Sequence, residues 1–342
     1  MPVMQAATGR DMSAAADAFG PGVLLVPMFQ PQITDMVARR GVLGQRVKHE
    51  PATGQPSRYF EQTRIVVGQF QDPRGMGFQP TQDPTRRERY LNIKAIVGSM
   101  QLGLFDVEIT RQQGQYANLV SKDITDMVDG TLRTSDLALW AGTDTNLIFP
   151  TTNQYVGLLT QINRTASIPS TVRIIDGLKA EIASIIANPF FTVQPTAVYV
   201  NPILGDLIDQ EERLNQRQMP AVPLNLATGG LVVNGLATQA GHIPIIPDKY
   251  LLNGVTGGSL TEAGKTDYKA VILTESLVEM HYVTAQEPRV FQLGLEGNLG
   301  TRYMSVLFNA PVAKGNANAA QSQNVVESGL VTYAHSVVTV TR

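Results

Sequence analysis

The chain contains no cysteine in 342 residues. That absence excludes disulfides, thiolate metal sites and cysteine nucleophiles. Charge is also scarce: Asp, Glu, Lys and Arg make up 16% of the residues, against ~25% in an average globular protein. The net charge of −2 provides no basic excess for tight nucleic-acid binding, which depends on Lys and Arg neutralising phosphates. Long apolar runs are missing too. Val23 to Phe29, the longest near the N-terminus, is interrupted by Pro27 and is too short for a signal h-region or a membrane span of ~20 residues. These absences read as a soluble protein folded in a cytoplasm. A weakly charged surface is also what subunits covered by neighbours present, although an ordinary low-charge protein has the same composition.

What is present begins with length. At ~100 to 200 residues per domain, the chain holds two domains or one large elaborated one, with ample material for a core. The longest helix-periodic run is Tyr116 to Gly142, in which Tyr116, Val120, Ile124, Met127, Val128, Leu132 and Leu139 recur at three and four. Lys122 with Asp126 and Asp129 with Arg133 add opposite-charge pairs on the other side. Gly142 is expected to end the helix in a left-handed conformation, and Gly130 to mark a bend or a close contact. The apolar stripe is expected to face strands at Thr301 to Val312 and Val331 to Val340.

Before that helix, Met1 to Gln55 shows no amphipathic pattern long enough to make a core. It reads as an arm lying on something else, or over its first 20 residues as a disordered tail. Arg58 to Val67 and Glu88 to Val97 read as paired strands, joined by a connection full of turn residues. A connection that long is commonly functional or exposed, so the pair is expected to project. Arg58, Arg64, Arg74, Arg86, Arg87 and Arg89 make the hairpin locally basic, with Tyr59, Phe60 and Tyr90 interleaved. That combination fits a nucleic-acid surface, but a solvated hairpin or a contact to an acidic neighbour explains the small charge excess better.

After the long helix, a strand at Gly103 to Thr110 having led into it, a second helix is predicted at Thr171 to Asn188, capped by Ser170 or Thr171. A strand follows at Ala197 to Val200, then a helix opened by Asn201 and Pro202, then a strand at Ile243 to Ile246. This order is α/β in character. The C-terminal third is rich in strands.

Signals for chemistry are weak. Ser259 to Thr266, SLTEAGKT, ends in Gly264-Lys265-Thr266 like a phosphate loop, but Ser259 stands where the first glycine belongs and Glu262 would face the phosphates. It reads as a Gly-rich loop. His49, His242, His281 and His335 lie far apart, without zinc-ligand spacing. His281 and Glu279 read as a polar pair on one strand face, and Glu211 and Glu212 as a solvated helix end. No catalytic, cofactor or metal residue is assigned.

The order of elements resembles the Hong Kong 97-like fold of tailed-bacteriophage major capsid proteins. The local likeness lies in RIIDGLKAEIASI, PTAVYVNPILGDLI and GHIPIIPDKYL, similar to the helix, strand ending in Asn-Pro, helix and Pro-terminated strand of that family's axial domain. The resemblance implies an α+β fold divided into an N-terminal arm (1–57), an extended E-loop hairpin (58–97), a peripheral domain (98–166 and 280–342) with a spine helix at 116–142, and an axial α/β domain (167–279). It implies pentamers and hexamers of the chain closing into an icosahedral virion shell around double-stranded DNA, assembled in the host cytoplasm. The six arginines would contact neighbouring subunits. Expected partners are other copies, a portal, loosely held DNA and, since Met1 argues against N-terminal processing, a separate scaffolding protein; a decoration protein is a further candidate. No enzyme activity, cofactor or membrane is implied. An encapsulin-type cellular shell is the alternative within the fold, and a nucleotide-binding enzyme using Gly264-Lys265-Thr266 the alternative outside it.

Overall fold

The computed structural model describes residues 40–64, 83–103, 119–147, 149–187, 192–214, 221–224, 231–252, 267–296, 300–315 and 334–342, with 66, 68, 70 and 74. The expected arm before residue 40, the strand at Gly103 to Thr110 beyond its first residue, and Gly264-Lys265-Thr266 lie outside these residues.

In chain order the elements are α1 (Val42–Arg46), β1 (Lys48–Pro51), β2 (Ser57–Arg64), β3 (Thr85–Leu91), β4 (Lys94–Gly103), α2 (Leu119–Ala141) and α3 (Leu158–Gln161). They continue with β5 (Thr165–Ile168), α4 (Ile174–Ile186), β6 (Ala197–Val200), α5 (Pro202–Leu214), β7 (Ala221–Leu224), β8 (Leu231–Thr238) and β9 (Gly241–Pro247). The last are β10 (Asp267–Leu273), β11 (Val278–Tyr282), β12 (Arg289–Glu296), β13 (Gly300–Ala313) and β14 (Ser336–Thr341).

Two large sheets carry the fold. The first has five strands: β1, β11, β13 and β12 in order, with β4 on the other edge of β13. The long helix α2 lies across β4 and β13. Its contact is close because Gly98 has no side chain: a Cβ there would stand 2.7 Å from Thr131 Oγ1. Thr131 donates to Ser305 Oγ on β13 at 3.0 Å, and Asn309 Nδ2 reaches Ser135 Oγ at 3.4 Å.

This face corrects the expected stripe. The helix buries Thr131, Ser135, Asp136, Leu139 and Trp140, while Ile124, Met127, Val128 and Leu132 are half-buried. Small polar residues let helix and sheet approach, so the hydrophobic pattern only skirts the seam. Gly142 follows the last helical residue, but for a different reason from the one expected. A Cβ there would meet Tyr155 O at 2.4 Å, so glycine admits the backbone of 155–157 against the helix end. Gly130 is exposed, and a Cβ there would meet nothing within 4 Å, so no close approach explains the glycine.

The second sheet has seven strands in the order β5-β14-β10-β6-β9-β8-β7. Its centre is apolar on both faces, as strands covered on two sides require. Val198 and Val200 of β6, with Ala270 and Ile272 of β10, pack under Ile174, Ile175, Leu178, Ile182 and Ile185 of α4 and Leu204 and Ile208 of α5. Ala197, Tyr199, Val271 and Leu273 point the other way, into a cluster with Leu139 and Trp140 of α2. The Trp140 and Tyr199 ring centroids are 5.6 Å apart. Each such buried aliphatic side chain contributes ~1.5 to 3 kcal/mol relative to exposure.

The C-terminal strand lies elsewhere than expected. β14 is not beside the long helix: it pairs antiparallel with β10 and parallel with β5 inside the seven-stranded sheet. Val338 and Val340 face α4, and only Val337 joins the Trp140 cluster. Alternating valines satisfy either placement, and the ladder with β10 decides it.

Helix α4 begins at Ile174 rather than Thr171, and no side chain at its N-cap, Arg173, accepts a hydrogen bond. Glu211 of α5 fills that role, accepting the Ile174 N–H at 2.9 Å. Glu212 pairs with Arg173, and Arg342 reaches Glu211 at 3.5 Å. These two carboxylates are a tertiary cap and not a solvated helix end. Asn201 behaves as expected, its Oδ1 accepting the Ile203 N–H at 2.9 Å.

Candidate functional site

β2 and β3 form a two-stranded sheet that pairs with neither large sheet. The expected strand Glu88 to Val97 is in fact two strands: β3 ends at Leu91, and β4 starts at Lys94 and joins the five-stranded sheet. The break between them is held by side chains. Gln55 brackets Ile93, accepting its N–H at 3.0 Å and donating to its carbonyl at 3.2 Å. Asn92 N and Nδ2 both donate to Leu147 O.

The hairpin has one docked side and one bare side, as the two-residue period of a strand dictates. Ser57, Tyr59 and Glu61 face the body. Ser57 Oγ meets His281 Nδ1 on β11 at 2.9 Å, and His281 Nε2 meets Glu279 Oε2 at 3.2 Å. Lys314 Nζ binds the same Glu279 oxygen at 2.5 Å and sits 5.2 Å from the centre of the Tyr59 ring. Glu61 accepts the Gly315 N–H at 3.0 Å and pairs with Arg89 at 3.0 Å. On the bare side Phe60 is 71% exposed; Phe70, later in the chain, is fully exposed.

Ser57, His281 and Glu279 line up as hydroxyl, imidazole and carboxylate, the constellation of a nucleophile relay. Burial decides against that use: Ser57 is 0% and His281 5% exposed, so no substrate carbonyl reaches the hydroxyl. His281 is held below its usual pKa, chiefly by burial, with Lys314 adding to the effect and Glu279 opposing it. The arrangement does mechanical work, seating the hairpin root. The pairing of Glu279 with His281 was legible in the sequence, but Ser57 and Lys314 carried no local signal.

Of the six arginines singled out, Arg58 and Arg89 are described with partners inside the hairpin. Arg58 pairs with Glu88 at 3.3 Å and stacks 5.4 Å from the Tyr90 ring centre, and Arg89 pairs with Glu61. Arg74 and Arg86 are exposed. Arg64 and Arg87 lie in the strands, and their side chains fall outside the described residues.

The end of the N-terminal segment is fastened to both sheets. The Gly41 N–H donates to Asp136 Oδ2 on α2 at 2.8 Å. Asp248 accepts from Leu43 N at 3.2 Å, Trp140 Nε1 at 3.1 Å and Tyr250 N at 3.0 Å. Arg46 makes a two-pronged pair with Glu275 at 2.7 and 2.8 Å, and Tyr199 OH donates to the same carboxylate at 2.6 Å. Two open grooves of about 460 and 450 Å³ run along α2 and β4, lined by Ile96, Val97, Met127, Thr134 and their neighbours. Among the described residues no cluster of His, Asp or Glu suits a metal ion, and no helix is long and apolar enough to cross a membrane.

No protein-family model matches the chain, and no curated protein matches it. Solved structures do. The chain is similar to a cyanophage A-1(L) capsid subunit at 10% identity, with a TM-score of 0.61, covering 87% of this chain and 96% of that one. A protein of Gordonia phage Cozz aligns at 13% identity with a TM-score of 0.63, over 93% and 92% of the two chains. The chain has the Hong Kong 97-like fold. The same fold appears in the holo-SrpI encapsulin complex from Synechococcus elongatus PCC 7942, at 14% identity and a TM-score of 0.56 over 96% and 94% of the chains.

Proposed function

We propose that the chain is the major capsid protein of a tailed bacteriophage, assembling as pentamers and hexamers into an icosahedral shell around double-stranded DNA. The observation that carries this reading is the pairing of similarity to phage capsid chains over most of the length with a hairpin that holds an apolar side chain away from its own body. The exposed Phe60 and the fully exposed Phe70 are explained when a neighbouring subunit covers them. Arg74 and Arg86 on the same exposed hairpin supply polar contacts at the rim of such an interface. The protein acts by assembling and not by catalysis. Its partners are its own copies, a scaffolding protein, a portal and, weakly, packaged DNA. It resides in the virion capsid after assembly in the bacterial cytoplasm.

The likeness to an encapsulin over most of both chains supports a second reading, a cellular enzyme compartment. Genes for a portal, a protease and a terminase beside this one favour the phage; a cargo enzyme with a docking tail favours the compartment. Deleting Gln69 to Arg86 tests the assembly reading. A soluble, folded subunit that sediments only as small species is the expected result, and shells from the deleted chain would overturn it.

A further inference from the structure

We propose that the hairpin root is an acid-sensitive clamp, holding β2 and β3 on the five-stranded sheet while His281 is neutral and releasing them when it takes up a proton. Beyond the β2–β3 ladder, the described hairpin is tied down at its root. Its docked face is one strand side, Ser57, Tyr59 and Glu61, and each of these meets a polar group of the body.

The charges that face His281 come from every element packed against it, and they are already balanced in pairs. On β11 Glu279 is neutralised by Lys314, which follows β13. On β1 Glu50, the strand neighbour of His281, is paired with Lys48. On β2 and β3 Glu61 is paired with Arg89. A proton on His281 would therefore add an uncompensated positive charge to a buried cluster, where Lys314 and His281 share the single oxygen Glu279 Oε2.

The hydrogen-bond arithmetic points the same way. With Nε2–H donating to Glu279, Nδ1 is an acceptor and receives the hydrogen bond of the Ser57 hydroxyl. Once Nδ1 carries a proton, both groups are donors along one line, and Ser57 must turn its hydrogen into a site with no access to water. Ser57 lies in β2 itself, so the loss falls on the hairpin. The depressed basicity of His281 accords with a geometry that favours the neutral ring. The clamp is a property of one chain and stands whether or not the chain forms shells.

Hydrogen exchange on the full chain, corrected for the intrinsic pH dependence of exchange, tests it. Protection of 57–64 and 85–91 is expected to fall as pH drops from 7.5 to 5.5, while β6 and β10 keep theirs. His281→Gln keeps a donor for Glu279 but cannot be protonated, and should make hairpin protection independent of pH. Lys314→Met removes the competing cation and should leave the hairpin protected at pH 5.5. A hairpin that stays protected in acid, a whole molecule that opens together, or a Gln variant that still releases would each overturn the clamp.

Discussion

Replacing Gly98 with Ala puts the packing of α2 on the five-stranded sheet to a direct test. The added methyl would stand 2.7 Å from Thr131 Oγ1 and 3.5 Å from Met127 Cγ, so something must move. Thr131 has little freedom: its hydroxyl is shared between the Met127 carbonyl and Ser305 Oγ, each at 3.0 Å, and it is 2% exposed. Overpacking of this kind costs ~1 to 3 kcal/mol, and breaking the Thr131–Ser305 bond adds about 1 kcal/mol. Gly98→Ala should therefore destabilise the subunit by roughly 2 to 4 kcal/mol. Thr131→Ala alone should cost about 1 to 2 kcal/mol, because Ser305 loses its partner. The double variant should cost less than the sum by at least ~1 kcal/mol, since the methyl then occupies the space the hydroxyl vacated. Urea unfolding of the four proteins, at equal m-values, measures the coupling. Additivity within ~0.5 kcal/mol would refute the proposed contact.

Three further outcomes are expected. His335 is fully enclosed, donating to Lys314 O at 3.0 Å and accepting from Thr274 N at 3.2 Å, and burial pushes it down to about 4. Its neutral form is the one the fold accommodates, so its contribution is complete above ~6.5 and is lost as pH falls towards 4, by about 3 kcal/mol at most. Asp136 runs the other way. Burial raises it to about 6, so its cost is absent below ~3.8 and grows as pH rises through 6. Asp136→Asn should thus stabilise the chain at pH 8 and steepen its acid loss, measured as midpoint against pH. Asp248→Ala strands Leu43 N, Trp140 Nε1 and Tyr250 N and should cost on the order of 3 kcal/mol or more, read as lost thermal stability; a loss below ~1 kcal/mol would contradict the fastening of the N-terminal segment.

The sequence revealed elements more readily than partners. β6 was legible to the residue, because a run of apolar residues ending in Asn-Pro leaves little choice. The long helix was legible in extent from its period and its terminal glycine. Its buried face was not, because Thr131, Ser135 and Asp136 lie at the seam where hydrophobic residues are expected. β14 was visible as a strand, but valines on both faces suit either sheet, and only the ladder with β10 chooses. The root of the hairpin was hardest to foresee. Ser57 and His281 are 224 residues apart, and nothing local to either residue marks the other as its partner. Glu211 and Glu212 show the same limit: a carboxylate pair at a helix end has the same pattern whether it meets water or caps another helix.

Negative-stain microscopy of the purified chain, alone and with a scaffolding protein encoded beside it, tests the central claim most directly. Closed shells of uniform diameter, built from rings of five and six subunits, are the predicted result. Only small, unassociated subunits under every assembly condition would contradict it.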